Sequence, residues 1–537
     1  VSGERRFWGW GFEGEGVGRA EQLDLASLVA PLVGGAELEV IEPPTAAELD
    51  LRPPRLAPPD AITGWCRTDE VTRAGHTYGK SFRDVVRALD RDWSRPPDVV
   101  AFPADEAGVV ATLDWAVDAG AVVIPYGGGS SVVGGVEAPE GDDRPVVSLD
   151  LGRLDAVLEI DRASRAARIQ AGVLGPALEA QLRPHDLTLR HYPQSFEVSS
   201  LGGWIATRSG GHFATLHTHI DDFVESIRAV TPQGLWSSRR LPGSGAGPSP
   251  DRLLLGSEGI LGVITEAWMR LQDRPVFRSS AIGRFATFEA GAAAARALAQ
   301  SGLWPSNCRL LDATEALVTG AGNGQSHLLL VAFESADHPV DAAMARAVEL
   351  VADLGGTLDV RPPREPAAAA GDAGADPDAA DAWRATFLRA PYLRDALVGV
   401  GLLNETFETA ITWDGFDAFV ASIRATTEEA LRSVDAWPGV VTCRLTHVYP
   451  DGAAPYFTVI APGRRSGRLA QWAEVKAAVM DAIEIAGGTV THHHAVGRDH
   501  RPGYDRQRPD VFAAALRAAK HAVDPAATLN PGVLIDP

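Results

Sequence analysis

Residues 121–135 read Ala121-Val122-Val123-Ile124-Pro125-Tyr126-Gly127-Gly128-Gly129-Ser130-Ser131-Val132-Val133-Gly134-Gly135. A short apolar run of strand length stops abruptly in three glycines and two serines. Without Cβ atoms, successive backbone N–H groups can converge on an anion, and Ser130 and Ser131 add hydroxyl donors. The order fits neither G-x-x-x-x-G-K-[ST] nor G-x-G-x-x-G, so it is neither a P-loop nor a Rossmann turn. Taken alone, the glycines make a plain turn. Following a strand, they read as a cradle for a phosphate or diphosphate.

Upstream, Asp98–Phe102 is a short strand, and Ala104–Ala119 carries helical apolar spacing at Val109, Val110, Leu113, Ala116 and Val117. Residues 1–92 are mixed, with a Trp-rich start (Trp8-Gly9-Trp10) that reads as an anchoring segment, proline-rich connections at 43–61, and helices near 20–33 and 80–90. Downstream, strand-helix-strand units continue to about residue 275. Two loops share the small-residue character of the cradle, at 192–211 and at 257–267, and suit close approach of backbone to a planar ligand. From 276 to about 500, strands such as Leu328–Ala332 alternate with long helices at 286–301, 340–354 and 415–433. The stretch at 366–380 is low-complexity and reads as a flexible surface loop.

At 537 residues the chain is too long for one core. Its net charge of −21 argues against a nucleic-acid partner, which needs a basic face. Lysine occurs only at 80, 476 and 520, so cationic recognition falls to arginine, which suits carboxylate and phosphate. Cys66, Cys308 and Cys443 have no metal-ligand spacing and imply a reducing compartment. No metal is expected. No apolar run is long enough to span a bilayer, and Val1-Ser2-Gly3-Glu4-Arg5-Arg6 opens no signal core, so a cytoplasmic protein without a targeting extension is expected.

A second unusual stretch is His492-His493-His494, after Gly487-Gly488-Thr489-Val490-Thr491. A turn feeding a short strand would put His492 and His494 on one face and His493 on the other. Two imidazoles would then reach one site, each able to carry a proton near neutral pH. The other readings are a metal-binding or simply exposed tract.

The motifs IPYGGGSSVVGG (124–135), YPQSFEVSSLGGWIATRSGG (192–211), GSEGILGVITEA (256–267), PYLRD (391–395), CRLTHVYPDGAAPYF (443–457), GGTVTHHHAVG (487–497) and VDPAATLNPGVL (523–534) occur in this order. Together they resemble the vanillyl-alcohol-oxidase, or PCMH-type, flavoproteins, and within these the alkyl-dihydroxyacetonephosphate synthases. The resemblance covers residues 65–535. It implies an α+β chain: a PCMH-type FAD-binding domain of two α/β subdomains at 93–275, after the N-terminal segment 1–92. A cap domain of antiparallel sheet flanked by helices would follow at 276–499, with 500–537 returning to the FAD domain.

The resemblance places the FAD diphosphate on Pro125, Tyr126, Gly127, Gly128, Gly129, Ser130 and Ser131. The rest of the cofactor would meet Gln194, Ser195, Phe196, Glu197, Val198, Ser199 and Ser200, then Thr207, Arg208, Ser209 and Gly210. Glu258, Gly259, Ile260, Leu261, Gly262, Val263 and Ile264 would complete its surroundings. No histidine or cysteine stands where covalent attachment would need it, so FAD is expected to be noncovalent.

Tyr456 matches the family's acid/base tyrosine, although in a strand beside Phe457 it also reads as a core aromatic. Arg394 matches a substrate-binding arginine, with pairing to Asp395 on a solvated helix as the other reading. Arg309 matches a position important for the synthases, and His492, His493 and His494 match their histidine triplet. The family pattern has glycine where this chain has Ala495. A larger departure is Gly211–Asp222, where eukaryotic synthases are more basic; His212, His217 and His219 there read as local hydrogen-bonding residues.

The implied reaction is redox-neutral: flavin N5 holds the dihydroxyacetone-phosphate carbon while a fatty acid leaves and a long-chain alcohol replaces it. Such a reaction implies a lipid substrate, transient membrane contact and a homodimer, although no basic amphipathic helix is evident. The alternative within the superfamily is an FAD-dependent D-2-hydroxy-acid dehydrogenase, in which arginines hold the carboxylate and hydride passes to N5.

Overall fold

The computed structural model describes residues 3–36, 38–213, 215, 218–361 and 379–536. The low-complexity stretch at 366–380 lies outside them up to residue 378, and so does His217. The chain is α+β, built on three main sheets.

The first sheet orders Cys66–Arg67, Val99–Ala101, Val146–Asp150 and Val122–Tyr126, the last three parallel. The helix Glu106–Asp118 supplies the crossover that a parallel pair needs, with Asp105 capping it through the Gly108 N–H. Its Val109, Leu113 and Ala116 are fully buried, whereas Val110 turns outward. The second sheet orders Val157–Asp161, Ala166–Gln170, Val263–Arg270, Val224–Thr231 and Gly234–Ser237, and every pairing is antiparallel. Strands and helices still alternate along the chain up to Arg270, through the helices Gly175–Leu182, Leu201–Thr207 and Asp251–Leu254, but without parallel crossovers. The four residues between Asp161 and Ala166 can close a hairpin but not a crossover.

The third sheet is antiparallel and the largest, with eight strands between Phe277 and Pro462. The helices Phe288–Gln300, Asp341–Asp353, Phe416–Ser433 and Arg468–Ile485 contribute buried side chains to the same core cluster as this sheet's apolar residues. That leaves the sheet's other face to look toward the glycine loops. The C-terminal helix Asp510–Val523 and the turn after it pack on the first half: Leu529 bridges Val123 in parallel, and Lys520 Nζ donates to the Ile260 carbonyl at 2.8 Å.

The N-terminal segment ties the halves together. Trp10, 3% exposed, packs with Phe12, Val198 and Tyr392, and its N–H donates to Asp395 at 2.7 Å. Arg5 donates to the Gly127 carbonyl at 3.1 Å. No helix among the described residues is long and apolar enough to cross a membrane.

Candidate active site

Three neighbouring strands of the large sheet place Arg444, Tyr456 and Glu408 side by side. Arg444 on Val440–Val448 is in register with Tyr456 on Gly452–Pro462, which is in register with Glu408 on Leu402–Glu408. The next row is Thr442, Thr458 and Thr406. Alternation sends Cys443, Leu445, Phe457, Val459, Leu403 and Phe407 into the helix-covered core. The Arg444 guanidinium lies 3.8 Å from the Tyr456 ring centroid and is ion-paired with buried Glu315. A desolvated cation over an aromatic ring contributes on the order of 2 kcal/mol. Burial raises the Tyr456 phenol above its ordinary range, and the Arg444 charge opposes that rise.

The histidine triplet curves over Glu408 rather than continuing a strand, and this corrects the alternation expected from sequence. The backbone N–H groups of His492 and His493 donate to Glu408 Oε2 at 2.6 and 2.8 Å, and that of His494 to Oε1 at 2.9 Å. The Thr491 hydroxyl donates to the same carboxylate. Three consecutive N–H groups can meet one carboxylate only on a curved backbone, because a strand aims them alternately to opposite sides. His493 and His494 therefore line the cavity, while His492 turns away to bond the Tyr449 hydroxyl at 2.8 Å.

Burial pushes the Glu408 carboxyl up to about 7, against the donors that favour its charged form. It also holds His494 down to about 3 and His492 and His493 well below the usual imidazole range. Burial thus favours the neutral form of all three rings. Beyond the triplet, the N–H groups of Val496 and Gly497 donate to Glu258, a buried carboxyl raised to about 7 by burial. Between them Ala495 sits at φ +75°, the left-handed region that glycine adopts freely.

Across a cavity of about 320 Å³ stands the glycine loop. Among the described residues, the backbone N–H groups of Gly127, Gly128, Gly129, Ser130 and Ser131 donate to no protein acceptor. Five consecutive unused donors on a loop without Cβ obstruction fit an anionic diphosphate. The glycines also have a packing role: a Cβ on Gly128 would lie 1.7 Å from the Val198 carbonyl oxygen, and one on Gly127 would lie 2.2 Å from Ser200 Oγ. The two loops touch backbone to backbone.

Of the residues expected to bind the cofactor, Pro125 to Ser131, Gln194, Ser195, Ser199, Ser200, Thr207, Ser209, Gly210, Glu258, Gly259, Gly262 and Ile264 line this cavity. The remaining seven do not. Phe196 stacks on Trp204, Val198 packs on Trp10, and Arg208 pairs with Asp221. Ile260, Leu261 and Val263 are core, and Glu197 faces the side of Tyr392.

Arg394 and Arg309 line the cavity together with Tyr456. Arg394 also pairs with Asp395 at 3.0 Å, but on a largely buried side chain rather than a solvated one. Sequence reasoning missed Glu408, Arg444, Thr406, His447, Lys476 and Asn530. The last donates to the carbonyls of Glu258 and Gly135 at 2.8 and 3.0 Å. His212 and His219 also bond across the fold: His212 Nε2 lies 3.0 Å from Asn307 Nδ2, and His219, whose Nδ1 faces the nearby Arg208 carbonyl, has Nε2 3.0 Å from the Tyr449 hydroxyl. His447, His492 and His493 bring one nitrogen each within 4.8 Å of one another, a spacing that a metal ion could use.

A family model for the FAD binding domain matches residues 97–238, and one for the C-terminal domain of FAD linked oxidases matches 274–534. The chain is 30% identical over 497 residues to the alkyldihydroxyacetonephosphate synthase of Dictyostelium discoideum, covering 87% of this chain and 78% of that one. The chain belongs to the alkyldihydroxyacetonephosphate synthase family. The enzyme of that name from Caenorhabditis elegans is also 30% identical, over 86% of this chain and 79% of its own. A solved alkyldihydroxyacetonephosphate synthase superposes with a TM-score of 0.81 at 25% identity, covering 98% of both chains. Like this family, the chain is an FAD-dependent enzyme of the alkyldihydroxyacetonephosphate synthase type, and its cofactor is FAD.

Proposed function

We propose that this chain exchanges the acyl chain of acyl-dihydroxyacetonephosphate for a long-chain alcohol, using noncovalent FAD. The observation that carries the reading is the Arg444–Tyr456–Glu408 row, with His493 and His494 above it, facing the glycine cradle across one cavity. FAD, when bound, supplies the nucleophilic centre that lets the carboxylate leave before the alcohol arrives.

The chain's own residues do the rest. Arg394, at the cavity wall, holds the phosphate headgroup, and Arg309 adds positive charge from the floor of the sheet. Tyr456 moves the substrate proton, its phenolate favoured by the Arg444 charge. The rings of His493 and His494, on the cavity wall, accept or return protons near the reacting carbon. Trp10, Phe82 and Val132 give the cavity an apolar wall against which an alkyl chain can lie. The same proposal includes transient membrane contact, a homodimer and a cytoplasmic location, the last in keeping with three free, buried cysteines. Vesicle sedimentation and light scattering test the first two.

The deciding experiment incubates the purified protein anaerobically with acyl-dihydroxyacetonephosphate and labelled fatty alcohol, beside a panel of D-2-hydroxy acids. Label in ether product with no net flavin reduction supports the exchange. Flavin bleaching by a hydroxy acid, reversed by an added acceptor, would replace it with a dehydrogenase. Release of all flavin on acid precipitation checks the noncovalent attachment.

A further inference from the structure

Behind the cavity wall runs a chain of hydrogen bonds whose direction is fixed at one end. His219 Nδ1 lies 3.3 Å from the Arg208 carbonyl oxygen, which can only accept, so the His219 proton sits on Nδ1. Its Nε2 is then an acceptor, 3.0 Å from the Tyr449 hydroxyl. With its hydrogen given to His219, the Tyr449 oxygen accepts from His492 Nε2 at 2.8 Å. His492 is therefore bare at Nδ1, which faces His493 Nδ1 at 3.0 Å. Two ring nitrogens at that separation share one proton, and only His493 can supply it. The Glu408 carboxylate, 3.2 Å from His493 Nδ1, calls for a proton on the same atom. His493 Nε2 remains bare, on a ring that lines the cavity.

We propose that Tyr449 and His219 are positioning residues that fix the tautomers of the triplet, so that His493 presents an unprotonated Nε2 as the base for the incoming alcohol. This inference rests on the exchange reading above for its substrate, and on geometry alone for its tautomers. When His493 Nε2 takes the alcohol proton, its Nδ1 proton passes to His492 Nδ1. The His492 Nε2 proton then passes to the Tyr449 oxygen, and the Tyr449 proton to His219 Nε2. One proton enters at the cavity and one positive charge appears on His219, where burial and the Arg208 charge oppose it and the Arg208 carbonyl, Asp221 and Asp222 favour it. Every nitrogen keeps its count.

The chain also bears on the histidine cluster as a metal site. His492 uses both ring nitrogens within the chain, and His447 Nε2 is taken by the Gly211 carbonyl at 2.8 Å. A bound metal ion and this chain exclude each other.

Nitrogen-15 NMR of histidine-labelled holoenzyme reads the tautomers directly, and kinetics of Tyr449→Phe, His219→Ala and His219→Gln read their consequence. We expect His493 and His219 protonated at Nδ1 and His492 at Nε2. Tyr449→Phe and His219→Ala should lose roughly 10- to 100-fold in kcat, with a changed solvent isotope effect but native flavin content and KM. His219→Gln, which keeps an acceptor toward Tyr449, should recover part of that loss. A proton on His493 Nε2, stoichiometric zinc in the purified protein, or Tyr449→Phe with native kcat and isotope effect would each overturn the proposal. If the native protein makes no ether product, the exchange reading fails, while the NMR result still decides the tautomers.

Discussion

Glu408 accepts the backbone N–H of His493 at 2.8 Å and also lies 3.2 Å from the Nδ1 of the same residue. One carboxylate thus fixes both where the ring hangs and how it can turn. Glu408→Ala should leave the flavin bound while kcat falls about 100-fold, the order of loss for an ångström of misplacement. Product formation at matched flavin absorbance measures it. Native turnover in that variant would mean that the loop keeps its shape without the carboxylate.

Tyr456→Phe preserves ring volume and the contact with Arg444, so the protein should fold and turn yellow. Its turnover should drop by roughly 10²- to 10⁴-fold, the range for losing a general acid/base. An unchanged rate removes the phenol from the mechanism.

Gly128→Ala should yield colourless protein, because the new Cβ meets the Val198 carbonyl oxygen at 1.7 Å and forces the two loops apart. Ser130→Ala, which adds no atom, should stay largely yellow. The absorbance ratio of flavin to protein decides it, and full flavin in Gly128→Ala rejects the diphosphate assignment for this loop.

His191 is buried, bonded to Ser209 Oγ at 2.7 Å, and held down to about 3 by desolvation. Its ordinary value is 6.5, so below that pH the unfolded chain binds a proton that the folded one refuses. The stability it contributes is present above pH 6.5 and is lost as pH falls toward 3, at about 1.4 kcal/mol per pH unit. His191→Gln should make the acid slope shallower by one proton between pH 6 and 5. Urea midpoints at those two pH values test this, and equal slopes refute it.

Ala495 pays the left-handed penalty at φ +75° that a glycine would not, about 1 kcal/mol. Ala495→Gly should therefore raise the urea midpoint without altering kcat. A lower midpoint would show that the extra freedom of the unfolded chain outweighs the relieved strain.

Much of the fold was written locally. The run from Val122 into Gly127 ends a parallel strand, and the helix at 106–118 buries the face its spacing marks. The alternation of strands and helices up to Arg270 was legible too, but not the antiparallel pairing of the second sheet, because apolar runs announce strands and not their direction. Of the site, Tyr456 and the triplet stood out through motifs. Glu408 and Arg444 did not, although a signal existed: Thr442, Arg444 and Thr446 are polar at every second position of an apolar strand, and Asn404, Thr406 and Glu408 repeat the pattern, interrupted by Glu405. His447 breaks that rhythm because a bulge between Leu445 and His447 shifts the register, and sequence gives no sign of it. The curvature of the triplet was equally hidden, since its cause is a carboxylate 84 positions away from His492.

The stretch from Thr491 to Gly497 is held by Glu408 from the large sheet and by Glu258 from the other half. A chimera that swapped the large sheet alone for that of a relative would carry off one of these two anchors and strand the loop on the other. The smallest piece that can be transplanted with its chemistry intact therefore runs through the loop, and it must land on a partner with an acid at position 258.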